Sequence, residues 1–166
     1  MIKVIHIVGA RPQFMKLSPL FSYMKKNNFS QKIIHTGQHF DSSMSEIFFD
    51  QLSIPKPDYN LNINNLPHGA MTGRMIEEIE KILSKVSFDF VIVYGDTNST
   101  IAGALAAKKI GIKVIHIESG CRNDDIKMPE EINRIITDRI SDILFCNTEF
   151  SMNNLYKENF QSFDCI

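Results

Sequence analysis

Three acidic residues stand at positions where carboxyl groups could transfer protons. Asp96 and Glu118 each follow a short apolar segment, FVIVYG and VIHI, and Glu130 follows a proline at the predicted start of a helix. Carboxyl groups act as general acids and bases when their environments hold them in different protonation states. The acidic residues therefore predict a site for acid–base chemistry, provided that the fold brings them to one place.

Each of these residues also has a structural explanation, which the local sequence leaves open. The run of polar residues from 96 to 100 suits the N-terminus of an alanine-rich helix, where such side chains cap free N–H groups. Glu118 could form an ion pair with Arg122. Glu130 and Glu131 could complement the dipole of the helix that they begin, and for Glu131 this is the stronger explanation.

A second set of polar residues could hold an anionic ligand. Arg11 follows Gly-Ala in the first predicted loop, where its guanidinium could bind a phosphate or a carboxylate, and Lys16 lies one turn further on. Gln38 and His39 follow the second apolar segment. Thr97 precedes a helix whose N-terminus would attract an anion. A tight turn with a solvated arginine explains the first loop equally well.

Several classes of site are not indicated by the sequence. The dinucleotide motif GxGxxG, the P-loop motif and the zinc motif HExxH are absent, so neither a cofactor nor a metal ion is predicted. The three cysteines, Cys121, Cys146 and Cys165, show no CxxC spacing, which indicates reduced thiols.

Composition and charge indicate one globular domain. The chain has 166 residues, 43% of them hydrophobic and 22% charged, and its 18 basic and 19 acidic residues give a net charge of −1. The sequence has no run of basic residues, so neither nucleic acid nor an anionic membrane is indicated as a partner. No segment resembles a signal peptide or reaches the ~18 apolar residues of a membrane-spanning helix. We therefore expect a soluble, cytoplasmic protein.

Short β-branched segments alternate along the chain with longer segments of helical period. The predicted strands are Ile2–Val8, Lys32–Thr36, Phe90–Tyr94, Lys113–Ile117 and Ile143–Cys146. The predicted helices are Phe14–Lys26, Ser43–Leu52, Ala70–Lys85, Ser99–Ile110, Glu130–Ile140 and Glu149–Asn159. The segment Pro55–Pro67, which is rich in proline and asparagine, predicts irregular structure.

This alternation predicts an α/β fold, a Rossmann-like parallel sheet with helices on both faces. Ligands of such sheets bind beyond the carboxyl ends of the strands. Most of the polar candidates follow a predicted strand, so this fold would gather them at one edge. Residues 160–166 become apolar again and suggest the start of another strand, so we expect the chain to be a fragment of a longer protein.

Five segments together resemble the non-hydrolysing UDP-N-acetylglucosamine 2-epimerases. They are VGARPQFMKLSPL at 8–20, HTGQHFD at 35–41, VYGDTNST at 93–100, HIESGCR at 116–122 and MPEEINR at 128–134. Each segment alone is modest evidence. Their order, with each segment at a predicted strand–loop–helix junction, makes the resemblance strong over essentially the whole chain.

The resemblance implies an architecture and a reaction. The family has two Rossmann-like domains of the glycosyltransferase-B type, and this chain would be the first, a nucleotide-sugar-binding domain. The implied reaction interconverts UDP-N-acetylglucosamine and UDP-N-acetylmannosamine, precursors of cell-surface polysaccharides, without NAD. It proceeds by elimination of UDP to 2-acetamidoglucal and re-addition. The full-length protein would be a homodimer, and this domain alone would be inactive.

The resemblance also implies roles for individual residues. The family's catalytic acidic trio falls on Asp96, Glu118 and Glu130. Its nucleotide-sugar-binding arginine and lysine fall on Arg11 and Lys16. The other implied substrate-binding residues are Gln38, His39, Thr97 and Arg122.

Two departures from the family pattern leave alternatives open. Many members have glutamate where this chain has Gln13, and the segment between Arg122 and Pro129 is shorter than in many bacterial members. The sequences QF at 13–14, GQH at 37–39 and GDTNST at 95–100 also resemble those of enzymes that act on UDP-2,3-diacetamido-glucuronate or related UDP-2-acetamido sugars. A glycosyltransferase of the same architecture and a non-catalytic nucleotide-sugar-binding fragment are further alternatives.

Overall fold

The computed structural model describes residues 1–38, 49, 51–161 and 165–166. Within these ranges the strands are β1 Lys3–Val8, β2 Ser30–His35, β3 Tyr59–Asn60, β4 Phe90–Tyr94, β5 Lys113–Ser119 and β6 Ile143–Cys146. The helices are α1 Arg11–Lys26, α2 His68–Leu83, α3 Asn98–Lys109, α4 Pro129–Ile140 and α5 Glu149–Lys157. Most of the predicted helix Ser43–Leu52 lies outside the described residues.

The described strands form one parallel sheet in the order β3-β2-β1-β4-β5-β6. This confirms the predicted fold class. The chain builds the sheet outwards from β1, first to β3 on one side and then to β6 on the other. The order therefore reverses between β1 and β4, the position at which open parallel sheets form their ligand crevice.

The prediction of irregular structure for Pro55–Pro67 was wrong at β3. Tyr59 and Asn60 pair with Ile34 and His35 as a two-residue strand at the edge of the sheet. Such a short strand has no periodicity to reveal it. At the other edge, Cys165 forms a parallel bridge with Leu144, in agreement with an extended segment there.

Both faces of the sheet are covered, because alternate side chains of each strand point to opposite faces. Ile5 and Ile7 of β1 pack with α2 and α3. Val4 and Val8 of the same strand pack with α1. None of the helices in the described part of the chain combines the length and apolarity that crossing a membrane requires.

Helix α3 packs so closely on the sheet that Gly103 has no room for a side chain. A Cβ atom there would lie 2.7 Å from Ile7 Cδ1 and 3.1 Å from Val93 Cγ1. The close approach of α3 holds its N-terminus, which follows β4, against the carboxyl edge of the sheet.

We expect alanine to have opposite effects at two helical glycines. Gly103→Ala should lower the free energy of unfolding by about 1–2 kcal/mol, because overpacking outweighs the gain in helix propensity. Gly73→Ala is the matched control, since nothing lies within 4 Å of its Cβ position. It should raise stability by roughly 0.5–1 kcal/mol. Urea unfolding measures both, and equal effects would contradict the close packing of α3.

His6 is a buried polar residue in the apolar face of β1. Its Nδ1 lies 2.7 Å from the Tyr94 hydroxyl and its Nε2 lies 3.0 Å from Gln31 Oε1. Burial lowers the pKa of His6 from 6.5 to about 4, although the bond with Gln31 opposes this shift. The ring is therefore neutral in the folded protein at pH 7.

This lowered pKa should make stability depend on pH. Above pH 6.5 the His6 ring is neutral in both states, and between pH 6.5 and about 4 only the unfolded chain takes up the proton. The free energy of unfolding should therefore fall between pH 7 and pH 5 by about 2 kcal/mol more than in His6→Gln. Urea unfolding at the two pH values measures this difference. The same pH dependence in both proteins would show that His6 is not held neutral.

Candidate functional site

Four loops meet at the carboxyl edge of the sheet, because all the described strands run parallel. They follow β1, β2, β4 and β5, and the loops after β1 and β4 flank the point where the strand order reverses. Arg11 is exposed at the first turn of α1, where Pro12 suits the helix start. His39 lies outside the described residues.

The loops after β1, β2 and β4 pack against each other without space for a side chain on Gly9. A Cβ atom there would lie 2.0 Å from Thr36 Oγ1 and 2.3 Å from Ser99 Oγ. Ser99 donates from its backbone N–H and its hydroxyl to Gln38 Oε1, at 2.9 and 2.6 Å. Gln38, predicted to bind substrate, thus holds the N-terminus of α3 through its carbonyl oxygen.

Glu118 pairs with Lys16, not with Arg122. The carboxylate and the ammonium group are in direct contact and their side chains are 28% and 30% exposed. Glu118 has a φ of 76° and lies where the β5–β6 register shifts between Ile117 and Ser119. Such a bulge redirects a side chain. The structural alternative, an ion pair between Glu118 and Arg122, was therefore wrong, because the side chain at the bulge meets Lys16.

Gly95 brings the Asp96 loop beside this ion pair. The Cβ position of Gly95 lies 3.3 Å from Glu118 Oε2 and 4.0 Å from Lys16 Nζ, and its φ is +63°. A side chain there would be strained and would press on the pair. The backbone can approach closely because this residue is glycine.

Asp96 pairs with Arg134 of α4, a contact that the sequence analysis missed. The guanidinium also donates to Glu131 Oε2 at 2.6 Å. Glu131 is 1% exposed, and its other oxygen accepts from the N–H groups of Asn123 and Asp124, at 2.9 and 3.0 Å. Beyond the dipole effect predicted for it, Glu131 therefore anchors the loop before α4 and holds the arginine that holds Asp96.

Glu130 is the least connected of the three predicted catalytic residues. It lies half-buried in the first turn of α4. Among the described residues, no hydrogen bond or ion pair links it to Asp96 or Glu118. The fold thus brings Asp96, Glu118 and Lys16 to one edge of the sheet. Glu130 lies on the same helix as Arg134, the partner of Asp96.

Arg122 is held below this edge by two acidic residues. Its Nε and Nη2 donate to the two oxygens of Glu158, at 2.6 and 2.9 Å, and Nη1 donates to Asp138 at 2.7 Å. Burial would lower the pKa of Arg122, but the two carboxylates raise it. With its side chain 6% exposed, Arg122 is held by structural contacts, and its role in substrate binding stays a prediction.

Comparison with known proteins identifies the family. Residues 22–165 match the sequence model of the family described as UDP-N-acetylglucosamine 2-epimerase. The chain belongs to this epimerase family. No group of three or more His, Cys, Asp or Glu in the described ranges is placed to hold a metal ion.

Individual members of the epimerase family are similar over nearly the whole chain. A UDP-2,3-diacetamido-2,3-dideoxy-D-glucuronate 2-epimerase of Pseudomonas aeruginosa is 55% identical over 96% of this chain and 45% of its own length. A UDP-N-acetylglucosamine 2-epimerase of Methanococcus maripaludis is 52% identical over 95% of this chain and 43% of its own.

A solved epimerase structure has the same fold. The enzyme of Methanocaldococcus jannaschii, in complex with UDP-GlcNAc and UDP, superposes with a TM-score of 0.96 at 48% identity. The match covers 99% of this chain and 46% of that one. The chain therefore spans less than half the length of the relatives that it matches.

Gln13 connects the first loop of this epimerase domain to the loop that carries Asp96. Its Oε1 accepts from the N–H groups of Gly9 and Ala10, at 2.7 and 3.0 Å. Its Nε2 donates to Tyr94 O at 2.7 Å and to Thr97 Oγ1 at 3.0 Å. Thr97, predicted to bind substrate, is thus itself held in place. In the sequence, Gln13 stands out only as a departure from the family pattern.

We expect Gln13→Met to lower the free energy of unfolding by about 2–4 kcal/mol. Methionine fills a similar volume but leaves the backbone N–H groups of Gly9 and Ala10 buried without their acceptor, since Gln13 is 2% exposed. The control is the reverse exchange, Met15→Gln, at a position of the same helix that is 54% exposed. It should change stability by less than about 0.5 kcal/mol. Similar values for the two variants in urea unfolding would exclude a connecting role for Gln13.

Proposed function

We propose that this chain is the nucleotide-sugar-binding domain of an enzyme that inverts C2 of a UDP-2-acetamido sugar. One carboxylate removes the C2 proton, and UDP leaves with the glycosidic oxygen to give a 2-acetamidoglucal. UDP then adds back while a proton is delivered to the opposite face of C2. The observation that carries this proposal is the Lys16–Glu118 pair beside the Asp96 loop, at the reversal of strand order.

The cationic side of the site suits the diphosphate. Arg11 lies at the N-terminus of α1 and Lys16 lies further along that helix. The N-terminus of α3 comes to the same edge through Gln38 and Gln13. Helix N-termini and basic side chains stabilise the negative charge that develops on a departing diphosphate.

Binding of the diphosphate would also release Glu118. Lys16 is in contact with Glu118, and both side chains are partly exposed. A diphosphate carries more charge than one carboxylate, so it competes for the ammonium group. Glu118 would then be free to face the sugar when the substrate is in place. Asp96 stays paired with Arg134, which belongs to the protein and does not leave with the product.

The remaining parts of the proposal come from the family. A second Rossmann-like domain would complete the cleft as in a glycosyltransferase-B architecture, and the complete protein would be a homodimer in the cytoplasm. UDP-N-acetylglucosamine is the first candidate substrate. UDP-2,3-diacetamido-glucuronate is the second, because the P. aeruginosa enzyme that is named for it is 55% identical to this chain.

A fusion protein tests the proposal. Residues 1–166 would be joined to the part of the M. jannaschii epimerase that they do not cover, a choice supported by the TM-score of 0.96. We expect the fusion to epimerise one of the two candidate sugars in D₂O, with deuterium at C2 of the product by NMR. Residues 1–166 alone should give no turnover. A fusion that folds and binds UDP but leaves C2 unlabelled in both sugars would refute the proposed reaction.

Asp96→Asn and Glu118→Gln should each lower the turnover of the fusion by about 10²- to 10⁴-fold, because each removes a proton-transferring or charge-stabilising group. Glu77→Gln is the control, since the partners of Glu77 among the described residues are Arg74 and Lys81, on the exposed face of α2. It should retain the turnover of the unmodified fusion. Circular dichroism checks that each variant folds. Unreduced turnover in both site variants would remove the carboxylates from the mechanism.

A further inference from the structure

A series of ionisable side chains, most of them buried, lies beneath the carboxyl edge of the sheet. His116 of β5 contacts Asp138 of α4, which in turn contacts Arg122. Arg122 continues the series to Glu158 at the end of α5. His116 and Asp138 are completely buried. Buried charges are costly unless they are paired and hydrogen-bonded, and none of these residues takes part in the proton transfers proposed above.

Asp138 accepts two hydrogen bonds at one oxygen and contacts His116 with the other. Oδ2 accepts from Arg122 Nη1 at 2.7 Å and from the N–H of Gly120 at 3.1 Å, and Oδ1 lies 2.7 Å from His116 Nδ1. Burial would raise the pKa of Asp138, but the hydrogen bonds and charges of His116 and Arg122 lower it. Asp138 is therefore an ionised carboxylate, which has no proton to donate.

Both ring nitrogens of His116 then face groups that only accept. Nδ1 faces the carboxylate of Asp138, and Nε2 lies 2.7 Å from the carbonyl oxygen of Gly95. A neutral imidazole has one N–H and could satisfy only one of them. A doubly protonated ring satisfies both and pairs its charge with Asp138.

We propose that His116 is a buried imidazolium that, together with Asp138, positions the two loops carrying Asp96 and Glu118. This inference deepens the proposed function and rests on it. His116 holds Gly95, the residue before Asp96, through its carbonyl. Asp138 holds Gly120, two residues after Glu118, through its N–H. The two are positioning residues, since they act on the carboxylates through the backbone.

The two loops need such a restraint because their backbones are in a left-handed conformation. Gly95, Glu118 and Gly120 have φ values of +63°, +76° and +76°. For the glutamate this conformation is strained, and it persists only when the surroundings impose it. At Gly120 a Cβ atom would lie 2.2 Å from the backbone oxygen of Ser151, so α5 closes the loop from the other side.

His6 provides an internal comparison. It too is completely buried in a strand of the same sheet with both ring nitrogens bonded. One of its partners, however, is the Tyr94 hydroxyl, which can donate to the ring, so a neutral imidazole satisfies both bonds. The same chain would thus hold one buried histidine neutral and another charged, according to the partners that each meets.

The protonation state can be measured on residues 1–166 by NMR with ¹⁵N-labelled histidine. At pH 7 we expect both ring nitrogens of His116 to give the chemical shifts of protonated imidazolium, while His6 gives those of a neutral ring. In Asp138→Asn, the amide can donate to Nδ1, and His116 should become a neutral ring with its proton on Nε2. A single N–H on His116 in the unmodified chain, or an unchanged ring in Asp138→Asn, would overturn the proposal. This measurement needs no turnover, so it stands apart from the proposed function.

The positioning role is tested in the fusion by His116→Gln, with His6→Gln as the matched control. Displaced loops should lower kcat by about 10- to 100-fold. KM for the UDP-sugar should stay within twofold, because Arg11 and Lys16 lie on α1 and the N-terminus of α3 is held separately by Gln13 and Gln38. His6→Gln should reduce stability but keep kcat within threefold. If His116→Gln does not fold, Asp138→Asn takes its place. A folded variant with unreduced kcat would exclude the positioning role, whereas an inactive unmodified fusion would count against the proposed function alone.

Discussion

Buried hydrogen bonds between loops are the constraint on which the carboxyl edge of the sheet depends. Where a strand ends, its backbone groups lose their partners in the sheet and must find others or remain in contact with water. Around β1, β4 and β5 these partners are side chains from other segments. Gln13 joins the first loop to the loop after β4, and His116 and Asp138 join that loop to the one after β5. The positions of the candidate carboxylates follow from these bonds.

The charges near this edge are compensated in three separate groups. Glu118 is paired with Lys16, Asp96 and Glu131 with Arg134, and the buried Asp138 with His116 and Arg122. The groups differ in how much water reaches them. The Lys16–Glu118 pair is partly exposed and therefore weak enough to exchange partners. The His116–Asp138 pair below it is fully buried, so removal of one partner would leave an uncompensated charge. The carboxyl edge of the sheet thus has the exchangeable Lys16–Glu118 pair above the buried His116–Asp138 pair.

Glycine residues allow helix α3 and the loops at the carboxyl edge to pack closely. At Gly9 and Gly103 the obstacle to a side chain is packing, since neighbouring side-chain atoms occupy the Cβ position. At Gly95 and Gly120 the backbone is also left-handed. Close packing of α3 and the left-handed turns after β4 and β5 together bring the Asp96 and Glu118 loops within contact of Lys16. The backbone of this site is held by buried contacts, while the Lys16–Glu118 pair above it is partly exposed.

The sequence by itself determined five of the six described strands, the described helices and the edge at which the polar residues gather. Apolar segments of strand length that alternate with helical periods leave a parallel sheet as the simple solution, and parallel strands all end at one side. The resemblance of five segments then indicated the family, which the match over residues 22–165 confirmed. Only the tertiary structure decided which side chains meet. Gln13 and its partner Tyr94 are 81 residues apart in the sequence, and Lys16 and its partner Glu118 are 102 apart. Such contacts depend on strand order and on the bulge at Glu118, and the periodicity of the sequence contains neither. For this reason Glu118 pairs with Lys16 and not with the nearby Arg122, which turns inward to Asp138 and Glu158.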